Sequence, residues 1–451
     1  MNIRSLLLLG AALATGLSVP SQVSAQPDAV SGPRWAVVMP SDKADQVVKS
    51  DPSDLSFTVL GEKTVLIGGE SLVKKLGSKG SETPVALRPG EEALLYSTRE
   101  RAWRLGKFPA GARPILKVQG MWVLLADETA KMGLTARTSA FTQVEPLPVN
   151  TVVLTPSRPS GQQAKDPVSE MLTRIDGDVW YADVKALADL KTRYTYSQGA
   201  KLAIDYCEKA FKELGYQTKR QDWGGQGNPS QNLEAIVPGF DSNNSGEVIV
   251  LGHLDSTSPK ASTLAPGADD NGSGAAGVLA MARFMRGLKG RATVRFVVVN
   301  GEEQGLLGSK AYVNALSPKE LASLRGVLTM DMIAFDAKPP LTAVIETASF
   351  NSQMAEQLSN LAASYTTLTS QISYNPWGSD HVPFLKKEIP TVLTIESEYD
   401  SNPTYHQVTD TPEKMNRDLA QQILRLNGAA LATLADLVRA PAGPSRTSSG
   451  R

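Results

Sequence analysis

Beyond residue 168 the sequence alternates helix-like segments with short apolar runs, and this alternation constrains the fold more than any other feature. Runs such as Glu247 to Leu251 and Thr293 to Val299 are apolar without the period-two alternation of a half-exposed strand. Strands of this kind lie in sheets that helices cover on both faces. The pattern therefore predicts an α/β domain over residues 168–440, with a mixed, mainly parallel sheet and helices on both of its faces.

Two helices of this domain are predicted from their start and stop signals. Ser197 can cap a helix that ends at Gly215 and carries its apolar residues on one face. A last helix is expected from about Asn416 to Arg439, because apolar residues recur there at helical spacing.

Residues 26–155 have a different character. From about Trp35 to Thr155 the sequence consists of short β-like runs separated by glycine, proline and serine. A chain of 451 residues exceeds what one hydrophobic core organises, so a separate, smaller β-rich domain is expected here. The polar segment 156–167 contains proline and glycine, which is typical of an exposed linker. An inhibitory pro-segment, a folding aid and a substrate-recognition module are all compatible with the N-terminal sequence.

The first 25 residues have the features of a secretory signal peptide. Arg4 precedes an apolar run from Ser5 to Val19, and small residues at 23–25 form a cleavage signal. A membrane anchor is disfavoured because the run is shorter than the ~20 residues that span a bilayer. We therefore expect a secreted or periplasmic protein that has no membrane contact after signal removal. The tail at 441–451 is rich in glycine, proline, serine and arginine and is expected to be disordered.

The overall charge gives no indication of a polyanionic partner. Lysine plus arginine and aspartate plus glutamate each number 46, so neither nucleic acid nor an anionic membrane surface is an expected partner. Cys207 is the only cysteine, which excludes an internal disulfide framework and a thiolate-rich metal site. We expect it to be a buried apolar residue of a helix.

All three histidines of the chain, His253, His381 and His406, lie in the second part of the sequence. Because groups beyond the carboxyl ends of neighbouring strands converge on one crevice, side chains that follow the predicted strands are expected to meet. Two imidazoles with several carboxylates suit zinc or a similar divalent ion, and the excess of carboxylates indicates two ions that share a bridging carboxylate. The residues in these positions are His253 with Asp255, Asp269 with Asp270, Glu302 with Glu303, Asp331, and His406.

Each of these motifs has a simpler explanation when it is considered alone. A single histidine after a strand is more often a hydrogen-bonded structural residue, and paired acidic residues are common in solvated loops. Packing does not require an acidic residue at every strand end. The joint occurrence of the motifs therefore favours a metal site.

Five motifs occur in a fixed order between residues 253 and 410. They are His253-x-Asp255, Ala265-Pro-Gly-Ala-Asp-Asp270-Asn-Gly-Ser-Gly274, Glu302-Glu303-x-Gly-x-x-Gly-Ser309, Asp331-Met, and Tyr405-His406 with Asp410 beyond it. In this order they resemble the co-catalytic di-zinc aminopeptidase family of bacterial leucine-type enzymes, which has the zinc exopeptidase fold. The resemblance extends over Val168 to Arg439 and excludes the β-rich N-terminal segment.

The resemblance implies a role for each matching position. Glu302 would be the catalytic base. Neighbouring residues of an extended segment point in opposite directions, so Glu302 and Glu303 cannot both easily ligate one ion, although this logic alone leaves their roles exchangeable. The family pattern divides the ligands between two zinc ions: His253, Asp270 and Asp331 for one, and Asp270, Glu303 and His406 for the other.

Two further groups complete the predicted site. Asp255, which we assign to the catalytic residues with Glu302, is placed to accept the second N–H of the His253 imidazole and so to fix the ring. The segment Trp377-Gly-Ser-Asp-His381 resembles the family's Ser-Asp-His segment at the rim of the substrate pocket. The residues predicted to line the pocket are Ser379, Asp380, His381 and Tyr405.

The sequence thus predicts a secreted zinc metallopeptidase that acts on peptides or proteins, most simply an aminopeptidase that releases N-terminal residues. A carboxypeptidase for acidic C-termini would need basic residues lining its pocket, and a glutaminyl cyclase on the same fold would use one zinc ion. A non-catalytic binding module would have lost part of the ligand set, whereas this set is complete. Side-chain specificity and oligomeric state are left open, and a monomer is compatible with the sequence.

Overall fold

The computed structural model describes residues 32–50, 55–76, 83–99, 107–224, 229–241, 245–335, 338–397 and 399–439. The predicted signal peptide at 1–25 and the predicted disordered tail at 441–451 lie outside the described residues. In the part of the chain that is described, no helix combines the length and the apolar character that crossing a bilayer requires.

The helices of the described residues range from 5 to 18 residues in length. In chain order they are α1 (Ser41–Ser50), α2 (Glu70–Leu76), α3 (Glu128–Thr135), α4 (Pro167–Met171), α5 (Gly177–Ala188), α6 (Gln198–Glu213), α7 (Gly274–Met285), α8 (Leu307–Ala315), α9 (Pro318–Ser323), α10 (Ser352–Tyr365), α11 (His381–Leu385) and α12 (Arg417–Leu434). Single 3-10 turns lie at Leu172–Arg174, Ser349–Asn351 and Pro412–Lys414, and a π-type turn at Ala268–Ser273 precedes α7.

Strands occur in both parts of the chain. In chain order they are β1 (Trp35–Pro40), β2 (Leu55–Leu60), β3 (Lys63–Gly68), β4 (Val85–Ala86), β5 (Glu92–Thr98), β6 (Ala112–Val118), β7 (Met121–Ala126), β8 (Thr142–Pro146), β9 (Thr151–Leu154), β10 (Gln217–Trp223), β11 (Ser230–Val237), β12 (Glu247–His253), β13 (Leu288–Gly290), β14 (Thr293–Val299), β15 (Leu324–Met330), β16 (Thr342–Glu346), β17 (Thr369–Ser373), β18 (Thr391–Glu396) and β19 (Leu437–Arg439).

One thirteen-stranded mixed sheet runs through the molecule, in the order β10-β11-β14-β12-β15-β18-β16-β17-β9-β2-β3-β1-β4. Its centre is parallel, since β14, β12, β15 and β18 are parallel neighbours. β16 and β17 are parallel to each other, and β16 is antiparallel to β18. The predicted mixed sheet is confirmed, and its parallel strands are those that precede the acidic motifs.

The central strands are buried on both faces. In β12, Val248 and Val250 pack into the core formed with α7 and α12, whereas Ile249 and Leu251 pack into a second core with α8 and α11. Because successive side chains of a strand point to opposite faces, both faces must be apolar, as the sequence indicates. The predicted helical layers on both faces are confirmed.

The two predicted helices form with one difference in length. Ser197 caps α6, where its Oγ accepts a hydrogen bond from the N–H of Ala200 at 3.1 Å. The last helix, predicted to reach Arg439, ends at Leu434. Asp436 adopts a left-handed φ of 54°, which a continuing helix cannot contain, and the next three residues pair as β19 with β13.

The N-terminal β-rich part is joined to the α/β part by main-chain pairing. β9 pairs with β17, and β2 pairs with β9, so the first strands extend the central sheet. β6, β7, β5 and β8 form a separate four-stranded sheet. The predicted linker at 156–167 is mostly exposed, but its backbone is anchored, because the N–H of Arg158 donates to Ser370 O at 2.8 Å.

Candidate metal centre

The predicted ligands meet at the carboxyl ends of the central parallel strands. His253 ends β12, Asp331 follows β15, and Glu303 lies in the turn after β14. Asp270 lies in the π-type turn before α7, and His406 lies in the loop that follows β18. The convergence follows from the topology, because parallel neighbours end on the same edge of the sheet.

The Asp270 carboxylate lies between the two histidines. Its Oδ1 is 3.4 Å from His253 Nε2, and its Oδ2 is 3.2 Å from His406 Nε2. His253 Nε2 is also 3.4 Å from Asp331 Oδ1, and His406 Nε2 is 2.9 Å from Glu303 Oε2. We call His253, Asp331 and Asp270 Oδ1 the His253 site, and His406, Glu303 and Asp270 Oδ2 the His406 site.

The donor atoms fit a pair of divalent cations. Four inward-facing atoms are buried without a hydrogen-bond partner among the described residues, although burying such atoms unpaired is costly. Imidazole nitrogens facing carboxylate oxygens are a donor set that zinc accepts. The four atoms are His253 Nε2, Asp270 Oδ2, Glu303 Oε1 and Asp331 Oδ1.

The hydrogen-bond partners of Asp269 and Asp270 show which of the two carboxylates faces the histidines. Asp269 Oδ1 accepts from the N–H of Ala334 at 3.0 Å, and its Oδ2 accepts from the side-chain amide of Asn402 at 3.2 Å. Asp269 therefore holds two loops together, and its carboxylate is directed away from the histidines. This contact pattern leaves Asp270 as the carboxylate between the two sites.

Glu302 and Glu303 also take different positions. Glu303 contacts His406, whereas a carboxylate oxygen of Glu302 lies within 4.8 Å of ligand atoms of His253 and Asp331. Both residues donate their backbone N–H groups to the Asp255 carboxylate, each at 3.2 Å. The turn that carries the two glutamates is thus fixed by Asp255.

Asp255 contacts His253 in a different way from the one predicted. His253 Nδ1 lies 3.2 Å from the main-chain oxygen of Asp255 and 3.6 Å from its carboxylate oxygen Oδ1. The main-chain oxygen is therefore the nearer acceptor for the imidazole N–H. The carboxylate accepts instead from Thr195 Oγ1 at 2.9 Å and from the backbone of the glutamate turn.

Burial and crowding of like charges shift the pKa values in the site. Burial raises the pKa of Glu302 well above its ordinary value and that of Glu303 to about 7, against the opposing charges of His253 and His406. Burial would lower the pKa of His406, but Glu303 and Asp270 raise it to about 10. Divalent cations bound between such carboxylates would relieve their mutual repulsion.

Comparison with known proteins finds a family match over the region that contains these residues. Residues 232–431 match the model of Peptidase family M28. All predicted ligands and Glu302 fall inside this match, which we call the M28 region. This match agrees with the resemblance drawn from the five motifs.

Two curated relatives are similar to part of the chain. Aminopeptidase YwaD of Bacillus subtilis (strain 168) is 31% identical over 205 residues, which cover 45% of this chain and 44% of that protein. Leupeptin-inactivating enzyme 1 of Streptomyces exfoliatus is 34% identical over 225 residues, which cover 47% of this chain and 48% of that protein. The chain thus spans about half the length of these curated relatives.

Solved structures share the fold. The LapA aminopeptidase of Legionella pneumophila superposes with a TM-score of 0.55 at 17% identity, covering 76% of this chain and 99% of that chain. An aminopeptidase from Aneurinibacillus sp. strain AM-1 gives a TM-score of 0.51 at 18% identity, covering 61% of this chain and 98% of that chain. These likenesses confirm the predicted fold class.

The loop that carries Asp270 in the M28 region is held by contacts that the sequence did not indicate. The Asp410 carboxylate accepts from the backbone N–H groups of Asp269 and Asp270, each at 3.0 Å. The Asn271 side chain donates to Met330 O at 3.0 Å and accepts from the N–H of Gly274 at 2.8 Å. The peptide bond between Asp270 and Asn271 is cis. Asp410 appears in the family motif, but only the structure shows what it binds.

A buried arginine supports the same loop from the other side. The Arg193 guanidinium donates to the main-chain oxygens of Leu254, Pro266 and Gly267 at 2.6–2.7 Å. These oxygens belong to the loops that follow His253 and precede Asp270. Arg193 thereby fixes the spacing between the two loops, and no sequence motif marked it.

The predicted pocket residues lie around the ligands with different contacts. Ser379 Oγ donates to Asp331 Oδ2 at 2.7 Å, and the Tyr405 ring stacks on His406 with centroids 3.7 Å apart. His381 pairs with Glu346 at 3.1 Å, and the ligand groups found among the described residues do not contain it. Asp380 is buried at the N-terminus of α11. Their role in substrate binding stays a prediction.

A residue of the N-terminal β-rich part also reaches the site, and sequence reasoning missed it. Arg99, directly after β5, is buried and places Nη1 3.2 Å from Asp331 Oδ2. Burial would lower the pKa of Arg99, but the Asp331 and Glu346 carboxylates hold it above its ordinary value. No motif surrounds Arg99 in the sequence.

We expect Asp410→Asn to weaken zinc binding by about 10- to 100-fold, because an amide cannot accept both backbone N–H groups and turns a donor toward one of them. Titration of the metal-free protein with zinc measures the change. Asp418→Asn is the matched control, since Asp418 is exposed in the first turn of α12. Wild-type affinity in the Asp410 variant would show that these two hydrogen bonds do not hold Asp270 in place.

Proposed function

We propose that this chain is a metal-dependent aminopeptidase that binds two zinc ions and releases residues from the N-termini of peptides or proteins. The observation that carries the proposal is the Asp270 carboxylate, which directs one oxygen toward His253 and the other toward His406, at 3.4 and 3.2 Å. The match to Peptidase family M28 and the aminopeptidase name of a relative support the same activity.

The ligands divide between the two sites defined above. His253 and Asp331 would hold one ion and Glu303 and His406 the other, with Asp270 shared. Two donor groups support two ions, and their members are His253, Glu302 and Asp331 in one and Asp270, Glu303 and His406 in the other. Bound zinc supplies Lewis-acid activation of water and of a carbonyl group.

Glu302 is the residue we assign to proton transfer. Its buried carboxylate lies within 4.8 Å of ligand atoms of His253 and Asp331, and the family resemblance assigns it to proton transfer and not to ligation. Burial raises its pKa, and a carboxyl group with a pKa shifted toward neutrality is suited to accept and return a proton. Glu302 would take a proton from the attacking water at a carboxylate oxygen and deliver it to the nitrogen of the leaving amine.

The alternatives differ from this proposal in metal count and product. A glutaminyl cyclase would use one ion, whereas the two donor groups among the described residues support two. A carboxypeptidase for acidic C-termini needs a basic group free to meet the substrate, but the buried Arg99 faces Asp331 and Glu346. Product analysis separates them, since an aminopeptidase alone releases a free N-terminal amino acid from a peptide.

Hydrolysis of aminoacyl-nitroanilides should be abolished by a chelator and restored by zinc. The colour of released nitroaniline measures the rate, and a substrate whose amino group is acetylated is the control, because an aminopeptidase needs a free N-terminus. Activity that survives complete metal removal, or equal rates on the acetylated substrate, would contradict the proposal.

Glu302→Gln and Glu303→Gln test the division of labour between the neighbours. The first variant should keep both zinc ions and lose about 10²- to 10⁴-fold in kcat, because the amide cannot accept a proton. The second should lose affinity at the His406 site, because one ligand carboxylate is gone. Zinc titration and kcat measured on both variants decide the assignment, and the reverse pattern would show that the roles are exchanged.

We also propose that the protein is exported, on the basis of Arg4, the apolar run from Ser5 to Val19 and the small residues at 23–25. The mature protein should begin directly after Ala25 and should be found outside the cytoplasm. N-terminal sequencing of the protein from separated cell fractions tests this. A protein that keeps its first 25 residues in the cytoplasm would contradict the proposal.

A further inference from the structure

The N-terminal segment inserts one side chain into the surroundings of the candidate metal centre. Arg99 comes from the strand end of β5, far in sequence from the M28 region, and only 2% of it is exposed. Its Nη1 lies 3.2 Å from Asp331 Oδ2, and its Nη2 lies 3.8 Å from Glu346 Oε1. The guanidinium therefore connects a predicted zinc ligand with a second buried carboxylate.

We propose that Arg99 is a positioning residue of the His253 site, and that the N-terminal segment is for this reason part of the active enzyme. The effect of Arg99 on catalysis rests on the proposed function. Its structural basis is independent of the reaction, because it concerns the orientation of the Asp331 carboxylate.

The orientation of Asp331 follows from the donors on one of its oxygens. Oδ2 accepts from Arg99 Nη1 at 3.2 Å and from Ser379 Oγ at 2.7 Å. Oδ1 is then directed to His253 Nε2 at 3.4 Å and has no hydrogen-bond partner among the described residues. Groups that hold one oxygen of a ligating carboxylate orient the other oxygen toward the ion. Arg99 and Ser379 perform this task from opposite parts of the chain.

Two aromatic rings lie near the Arg99 guanidinium, whose Nε and Nη2 have no hydrogen-bond partner among the described residues. Its Cζ lies 5.1 Å from the Trp377 ring centroid and 5.5 Å from that of Tyr399. The backbone at Gly378 packs directly against the aliphatic part of the Arg99 side chain. A Cβ at this position would lie 2.9 Å from Arg99 Cδ, so the close approach requires glycine. A planar cation between aromatic rings and two carboxylates is a site that lysine cannot fill equally well.

The charge of Arg99 is matched by the carboxylates around it. Glu346 also contacts His381 at 3.1 Å, so Arg99 and His381 both face this carboxylate. Removing one member of a buried charge group leaves its partner uncompensated. Loss of Arg99 would therefore remove one of the two donors described for Asp331 Oδ2 and leave Glu346 without its guanidinium.

Further contacts hold the four-stranded sheet of the N-terminal segment on the rim of the site, so the position of Arg99 is fixed. They join main-chain and side-chain atoms of both parts. The pairs are Asn375 with Ser97 at 2.7 Å, Gln143 with Pro376 O at 3.3 Å, Lys117 with Asp400 at 3.0 Å, and Tyr399 with Gln119 O.

Zinc titration of the full mature chain tests the proposal, with the variants R99M and R99K and the control R113M. Arg113 lies in the same four-stranded sheet and pairs with Glu91, away from the site. Competition with a chromophoric chelator gives the two zinc affinities. R99M should weaken one of them by about 10- to 100-fold and leave the other close to wild type, because Asp331 belongs to the His253 site alone.

The kinetics and a second variant make the test decisive. In R99M kcat should fall with little change in KM, since the buried Arg99 acts through Asp331. R99K keeps the charge beside Glu346, so it should fold even where R99M does not, and it should still weaken one zinc affinity. R113M should match the wild type in both measurements.

Three outcomes would overturn the proposal: unchanged zinc affinities in R99K and R99M, an equal loss at both sites, or increased activity. Equal loss would indicate general destabilisation, which thermal melting of the metal-free variants detects, and increased activity would indicate that the N-terminal segment is an inhibitory plug. If the wild type hydrolyses no aminoacyl substrate, the proposed function fails, but the two zinc affinities still decide the role of Arg99.

Discussion

The position of the Asp270 carboxylate between His253 and His406 is the contact on which the site depends. One carboxylate can serve two cations only if its backbone is held so that each oxygen faces a different imidazole. Asp410 fixes the backbone at Asp270 through paired hydrogen bonds, and Asn271 ties the next residue to the end of β15. The loop geometry is therefore set by groups that do not themselves ligate, which is why their loss is expected to act on metal binding.

Two buried arginines border the acidic centre, and they stabilise it in different ways. Arg193 donates to main-chain oxygens and so fixes two loops, whereas Arg99 faces the carboxylates of Asp331 and Glu346. A buried guanidinium is tolerated only where such partners exist, because its desolvation is costly. Both arginines precede the M28 region in the sequence, Arg193 between α5 and α6 and Arg99 directly after β5. Arg99 reaches the site from the N-terminal part, which makes the charge balance of the site a property of the whole chain.

The pattern of apolar and acidic residues along the sequence predicted those parts of the site that depend on individual strands and the residues that follow them. Apolar runs without alternation became central strands, and the acidic residues after them met because parallel strands end on one edge. The choice between Asp269 and Asp270 depends on Ala334 and Asn402, which no local pattern connects to that loop. Arg99 was not predictable for the same reason: its position depends on how a separate sheet packs on the rim at Trp377. The last helix was predicted too long because its end is set by pairing between β19 and β13.

The continuity of the sheet bears on the three roles that the sequence left open for the N-terminal segment. β9 covers the edge of β17, where the N–H of Thr155 donates to Ile372 O at 2.9 Å and that of Tyr374 to Val153 O at 2.8 Å. A segment that inhibits and then departs would uncover this edge, and exposed edge strands invite pairing with other chains. Departure would also remove Arg99 from Asp331. The contacts therefore favour a segment that stays in place and supports the site over one that blocks it.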